Sequence, residues 1–185
     1  KPKTIVYLNL KTPQMKNILL AILSGILFSI SWPTYGFSVF IFVAFIPLLL
    51  AEKNIRITYK NTKWRVFGYA YLTFLIWNLI TTSWLYYADL FGMLFANLVN
   101  SLLMSLVFLM YHISAKRFSQ KRSLLFLTVL WLSFEYLHLH WDFSWPWLNL
   151  GNVFSENITW IQWYEFTGIF GGSLWVLLIN SFIFY

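Results

Sequence analysis

The sequence contains no cysteine, which excludes disulfides, thiol nucleophiles and thiolate metal sites within these 185 residues. It is also poor in charge. Only 10% of its residues are Asp, Glu, Lys or Arg, against roughly a quarter in an ordinary soluble domain. A chain so short of charge cannot cover itself with polar surface. Acids are the scarcest, at six, so the net charge is +7. That excess does not point to nucleic acid, because the basic residues lie in short connections between apolar runs rather than as a stripe on a water-exposed fold. No Gly-x-Ser-x-Gly elbow, internal repeat or low-complexity stretch occurs, and no nucleophile, base and orienter fall into a recognisable arrangement.

What is present is apolar and aromatic: 59% hydrophobic residues, with 11 Trp, 11 Tyr and 19 Phe. Apolar runs recur from Ile18 to Tyr185, and a membrane span needs about 20 such residues. The pattern predicts an all-α polytopic transmembrane bundle of about six spans in a single domain, near residues 18–31, 37–51, 66–87, 90–115, 123–139 and 167–185. The first two are short and read as a hairpin. Trp32-Pro33-Thr34-Tyr35-Gly36 supplies the turn between them, with Trp and Tyr suited to the headgroup level. No small-residue cleavage site follows the first run, so a removable signal peptide is not expected. The chain begins at Lys1 and stops at Tyr185 inside an apolar run, which reads as a piece trimmed at both ends.

Orientation follows from the basic residues, which favour cytoplasmic loops. Lys1, Lys3, Lys11 and Lys16 precede the first span. Lys53, Arg56, Lys60, Lys63 and Arg65 join the second to the third, and Lys116, Arg117, Lys121 and Arg122 join the fourth to the fifth. These thirteen are the whole Lys and Arg complement. Of the acids only Glu52 shares their side, while Asp89, Asp142, Glu156 and Glu165 fall in the opposite loops. One alternating topology, with the N-terminus cytoplasmic, accommodates every charge. The segment from about His140 to Phe166 holds Trp141, Trp145, Trp147, Trp160 and Trp163 among Pro146, Gly151 and polar residues. It is too apolar for a solvated loop and too interrupted for a span, and reads as a periplasmic interfacial or re-entrant loop.

Few residues invite chemistry. Glu135, His138 and His140 lack a clear fourth ligand, so interfacial hydrogen bonding is the better reading than a metal site. Glu135 lies within a span near its outer end, where an ionisable group is costly and marks either function or a buried pair. With no Lys or Arg on that side, its partner must be a hydroxyl, an amide, an imidazole or backbone. Gly168, Gly171, Gly172 and Asn180 on the last span read as close helix packing and interhelical hydrogen bonding, as do Asn78, Asn97 and Asn100 elsewhere.

The order of these features resembles the membrane domain of apolipoprotein N-acyltransferases. Four stretches carry the likeness: Trp32 to Gly36 followed by Phe45-Ile46-Pro47-Leu48-Leu49; Phe67-Gly68-Tyr69 leading to Trp77 and Trp84-Leu85-Tyr86; Leu130-Trp131 with Glu135-Tyr136-Leu137 and then Trp145-Pro146-Trp147-Leu148-Asn149-Leu150-Gly151; and Gly168 to Leu174 through Asn180. Three positions depart from the family's habit: Trp145 stands for a usual Phe, Asn152 for a common Tyr, and His138 for an Arg that often follows the Glu.

The resemblance implies a bacterial inner-membrane enzyme that moves an acyl chain from phospholipid to the amino-terminal cysteine of lipoproteins. It implies a Glu-Lys-Cys triad in a nitrilase-like domain following one further crossing after Tyr185, so these 185 residues by themselves would be inactive. No cofactor, metal or nucleic-acid partner is implied; phospholipid and bacterial lipoproteins are the expected partners. The resemblance leaves this chain to anchor the enzyme and provide lipid access, with Trp84, Glu135, Trp145, Pro146, Trp147 and Gly151 as the access residues. The rival readings are a small transporter or channel module, which would show paired broken helices or a line of ionisable groups, and a structural membrane subunit.

Overall fold

A computed structural model describes residues 12–33 and 36–185. Lys1, Lys3, Lys11, Thr34 and Tyr35, which figure in the charge count and the turn motif, lie outside the described residues. The architecture is helical: α1 (Thr12–Ser31), α2 (Ile46–Thr58), α3 (Lys63–Thr81), α4 (Leu90–Ala115), α5 (Gln120–His138) and α6 (Tyr164–Phe184). Short 3₁₀ turns occupy Ser38–Val43, Ser83–Tyr87, Pro146–Leu148, Leu150–Phe154 and Ile158–Trp160.

Among the described residues, four stretches are long and apolar enough to cross a membrane: Gln14–Ser31, Ser38–Thr58, Leu90–Ala115 and Tyr164–Phe184. Helices α3 and α5 have 19 residues each. Both start with basic residues and carry Trp and Tyr, which suit an interface better than the bilayer centre. The first run gains its length from flanking residues, because α1 begins at Thr12.

The second run is not one helix but a 3₁₀ turn, a break at Ala44–Phe45 and then α2. Pro47 causes part of this, since it has no N–H to donate and fits only the first turn of a helix. At membrane depth the freed backbone groups need other partners. Ser24 of α1 donates to the Ala44 carbonyl at 2.5 Å. Asn180 of α6 donates to the Ile41 carbonyl (2.9 Å) and accepts from the Phe45 N–H (3.0 Å). Asn180 therefore patches a broken span.

Between helices in lipid, association rests on packing and polar contacts rather than on a hydrophobic drive. The core is aromatic. Phe28 of α1 stacks on Trp77 of α3 (4.6 Å) and meets Phe45 edge-on (4.8 Å), and Phe45 reaches Trp131 of α5 at 5.0 Å. Trp77 and Trp131 are fully buried. Polar bonds tie α1 and α4 to α3 and its end: Thr73 donates to the Ala21 carbonyl (2.9 Å), Asn100 to Asn78 (2.8 Å) and Thr82 to Asn97 (2.8 Å).

The bundle has two unlike ends. Lys53 lies over the ring of Phe184 (5.8 Å to the centroid) and Lys116 donates to Thr62 at 3.3 Å, so the close of α2, α4 and α6 meets the start of α3 at a basic end. At the opposite end Trp32 meets Trp77 and Trp84 meets Trp147.

Candidate site at the Trp-rich end

Helical spacing puts Trp131, Glu135 and His138 of α5 on one face, and all three are buried. The Glu135 carboxylate, 1% exposed, uses Oε1 to accept from the Trp131 indole N–H (3.1 Å) and from the backbone N–H of Leu150 (2.8 Å). Leu150 opens the 3₁₀ turn that follows the Trp-Pro-Trp segment. The next residue carries the tie onward: the Gly151 N–H donates to Ser173 Oγ on α6 (2.9 Å), and the Tyr164 hydroxyl donates to the Gly151 carbonyl (2.9 Å). Two successive backbone amides of the loop are thus held by side chains of two different helices. Among the described residues no Lys or Arg pairs with Glu135, and its Oε2 has no partner.

Close approach makes this tie possible. A Cβ at Gly151 would collide with the Ile169 carbonyl oxygen and lie 2.8 Å from its Cγ1. A Cβ at Gly172 would run into the Tyr164 hydroxyl and sit 3.0 Å from the Gly151 Cα. Gly171 is similar, crowded by Thr167 and by Trp163 at 2.7 Å. Gly168 is different. Nothing lies within 4 Å of its missing Cβ, and its φ of 60° with ψ of −166° bends the start of α6. A conformation open to glycine and strained for other residues, not close packing, is what this position uses.

Held this way, the loop borders a recess of about 700 Å³ whose walls include Ile30, Trp32, Pro33, Thr81, Trp84 and Trp147. Trp84 and Trp147, both about half exposed, stand edge-to-face across it at 6.2 Å. Pro146 begins the short turn that presents Trp147, and Asn152 donates to the carbonyls of Pro146 (2.9 Å) and Trp147 (3.3 Å) to fix that turn. Trp145 turns elsewhere, lining a separate cavity of about 190 Å³ with Phe95, Val99 and Phe143. The structure therefore brings Trp84, Trp147, Glu135 and Gly151 into one connected unit, with Trp145 at its flank and Asn180 remote from it.

Ser173 and Tyr164 complete the tie; the sequence marks Ser173 only as a small packing residue beside Gly172, and does not single out Tyr164. A second cluster also escapes such a reading. At the basic end Glu52 Oε1 lies 2.6 Å from His112 Nδ1 and accepts from Arg56 Nε at 2.9 Å, while His112 Nε2 lies 2.8 Å from Thr62 Oγ1. Glu52 and His112 are buried. A carboxylate and an imidazole inside apolar helices are the available signal.

Helix order, apolar length and buried polar ties together define a polytopic helical membrane protein with an aromatic recess at one end. Its family follows from comparison: residues 24–182 match the apolipoprotein N-acyltransferase N-terminal domain, and the chain belongs to this family. The apolipoprotein N-acyltransferase of Chlorobaculum tepidum is 28% identical over 172 residues, covering 91% of this chain and 31% of the relative. That of Geobacter metallireducens is 27% identical over 179 residues, covering 91% and 33%. Apolipoprotein N-acyltransferase 1 of Treponema denticola is 31% identical over 126 residues, covering 66% and 22%. The chain thus spans about a third of the length of the first two relatives. No solved structure matches it.

Proposed function

We propose that this chain forms the membrane domain of an enzyme that transfers an acyl chain from phospholipid to the amino-terminal cysteine of bacterial lipoproteins, and that its Trp-rich end is where lipid enters. In this reading all six helices cross the inner membrane, the basic end is cytoplasmic and the Trp-rich end periplasmic. The bond-making groups belong to the part of the relatives' length that these residues do not span, and no residue here is assigned a catalytic role.

The observation that carries the reading is the fastening of the Trp-Pro-Trp turn by Glu135 and Ser173, which sets Trp147 against Trp84 at the mouth of the recess. Indole rings have broad apolar faces and one N–H each, a combination suited to the boundary between acyl chains and headgroups. A loop serving only as an interfacial anchor would not need two buried amides locked by two helices.

The test is made in the full-length protein. Trp147→Ala removes one wall of the mouth, whereas Trp64→Ala removes an indole that is 82% exposed at the basic end. Acyl transfer to a lipopeptide is expected to fall about tenfold in Trp147→Ala, the scale set by the apolar surface of a half-buried indole, at normal membrane abundance, and to be unchanged in Trp64→Ala. Equal transfer in the two variants would reduce the loop to an anchor.

A further inference from the structure

A second apolar feature lies away from the recess, on the lipid-facing seam between α4 and α5. Leu103, Leu106, Val107 and Met110 of α4 face it at helical spacing, and Leu130, Ser133 and Leu137 of α5 do the same from the other side. Stripes of this kind normally interlock when two helices pack. Here they border an open trough of about 480 Å³. At 1.5 Å per residue the eight-residue stripe on α4 makes it roughly 10 Å long.

The trough is apolar but for Ser133 midway along it, and becomes more polar toward the end lined by His138 and His140. There it meets His138, whose ring stacks on Phe134 (5.2 Å, 21° between planes) and lies beside Trp141 (5.2 Å). His138 is 6% exposed and lines the trough, and among the described residues its Nε2, enclosed within the protein, has no hydrogen-bond partner. A buried polar atom without a partner costs free energy comparable to a broken hydrogen bond. The imidazole therefore stands in the wall of the trough as a polar group without a partner. His138 is also the last residue of α5, at the level where the Trp-rich segment begins.

We propose that the α4–α5 trough is a specific phospholipid site, in which one acyl chain fills the trough and an ester carbonyl accepts a hydrogen bond from the His138 imidazole. The occupant is set by complementarity: a molecule apolar over two helical turns, with an acceptor at one end only, at the depth where glycerol esters meet indole rings. A packed protein helix would present side chains, not a single acceptor, to that end. The Glu135 tie and the Trp84–Trp147 mouth take no part in this site, so it stands or falls independently of the acyl-transfer reading.

The full-length protein would be reconstituted in phosphatidylethanolamine vesicles containing a trace of the same lipid with a diazirine in one acyl chain. After irradiation, adducts are mapped by peptide mass spectrometry. Adducts should concentrate on Leu103–Met110 and Leu130–Leu137, above those on the exposed residues Met15, Leu19 and Leu23 of α1. His138→Phe keeps the aromatic stack and removes the donor, and should cut the trough adducts about fivefold, one net hydrogen bond. His138→Gln, which keeps a donor, should retain most of them. Met110→Trp fills the trough from its exposed side without touching His138, and should abolish them even where His138→Phe proves too unstable to purify. Trp147→Ala should leave them unchanged. Adducts as frequent on α1 as on the trough would show only unspecific surrounding lipid, and trough adducts indifferent to both His138→Phe and Met110→Trp would overturn the site.

Discussion

Glu52 and Glu135 are both buried, both leave Oε2 without a partner, and stand at opposite ends of the same bundle, yet they are accommodated by different means. At the basic end Glu52 meets charge with charge: Arg56 donates to it and His112 lies against it, with Thr62 and Lys116 continuing the chain of contacts. At the Trp-rich end Glu135 meets only neutral donors, an indole and a loop amide. The difference follows from the distribution of Lys and Arg along the sequence, which among the described residues leaves none paired with Glu135 at the Trp-rich end. It also separates two jobs. An ion-pair cluster joins helices α2 and α4 to the α2–α3 connection and acts as a staple, whereas a carboxylate that accepts from backbone positions a loop. In the proposed reading Glu135 is in this sense a positioning residue for Trp147.

The largest effect should come from breaking the charged cluster on one side only. His112→Phe leaves the buried Glu52 carboxylate with Arg56 alone, and losing a hydrogen bond to a charged group costs about 1.5–3 kcal/mol, with about 1 kcal/mol more for the Thr62 hydroxyl that loses the same imidazole. Thermal or denaturant unfolding of the purified protein in detergent measures it. Glu52→Leu combined with His112→Leu should recover most of that stability, because no buried carboxylate remains and Arg56, whose side chain is partly exposed, can turn to water. A His112→Phe variant as stable as the parent would erase the distinction between the two ends.

Next in size is Glu135→Leu. It strips the acceptor from two buried donors, the Leu150 N–H and the Trp131 indole, at about 1–3 kcal/mol for a group left unsatisfied. Its signature is local: amide hydrogen exchange at Leu150 and Gly151 should speed up while α3 and α4 stay protected. The smallest change is Glu135→Gln, whose amide oxygen can still accept both bonds, and its cost should stay under about 1 kcal/mol. A Gln variant as loosened as the Leu variant would mean that negative charge, not acceptor geometry, holds the loop.

Features that rest on local pattern are legible in the sequence. Apolar length and the one-sided basic loops mark the helices and their two ends, and the cost of an ionisable group in a span singles out Glu135. The cadence of Trp, Pro and Gly marks the loop. What escapes depends on partners distant along the chain. Asn180 reads as a packing and interhelical hydrogen-bonding residue, but its partners Ile41 and Phe45 lie more than a hundred residues away, and only the break before Pro47 explains why they need it. Glu52 and His112 are 60 residues apart, each unremarkable without the other. Gly168 sits within a Gly-rich stretch that suggests packing, and hydropathy carries no trace of its positive φ.

If Glu135 serves acyl transfer by holding the Trp-rich loop, while Glu52 serves only the stability of the bundle, the two ends must respond differently to mutation. The direct measurement is the rate of acyl transfer per folded molecule in the full-length protein, for Glu135→Leu and His112→Phe side by side with the parent. Glu135→Leu should lose about tenfold, matching Trp147→Ala because both undo the same mouth, while His112→Phe, although the less stable of the two, should transfer at the parent's rate. Glu135→Leu working at the parent's rate, or His112→Phe falling as far, would contradict the division of labour between the two ends.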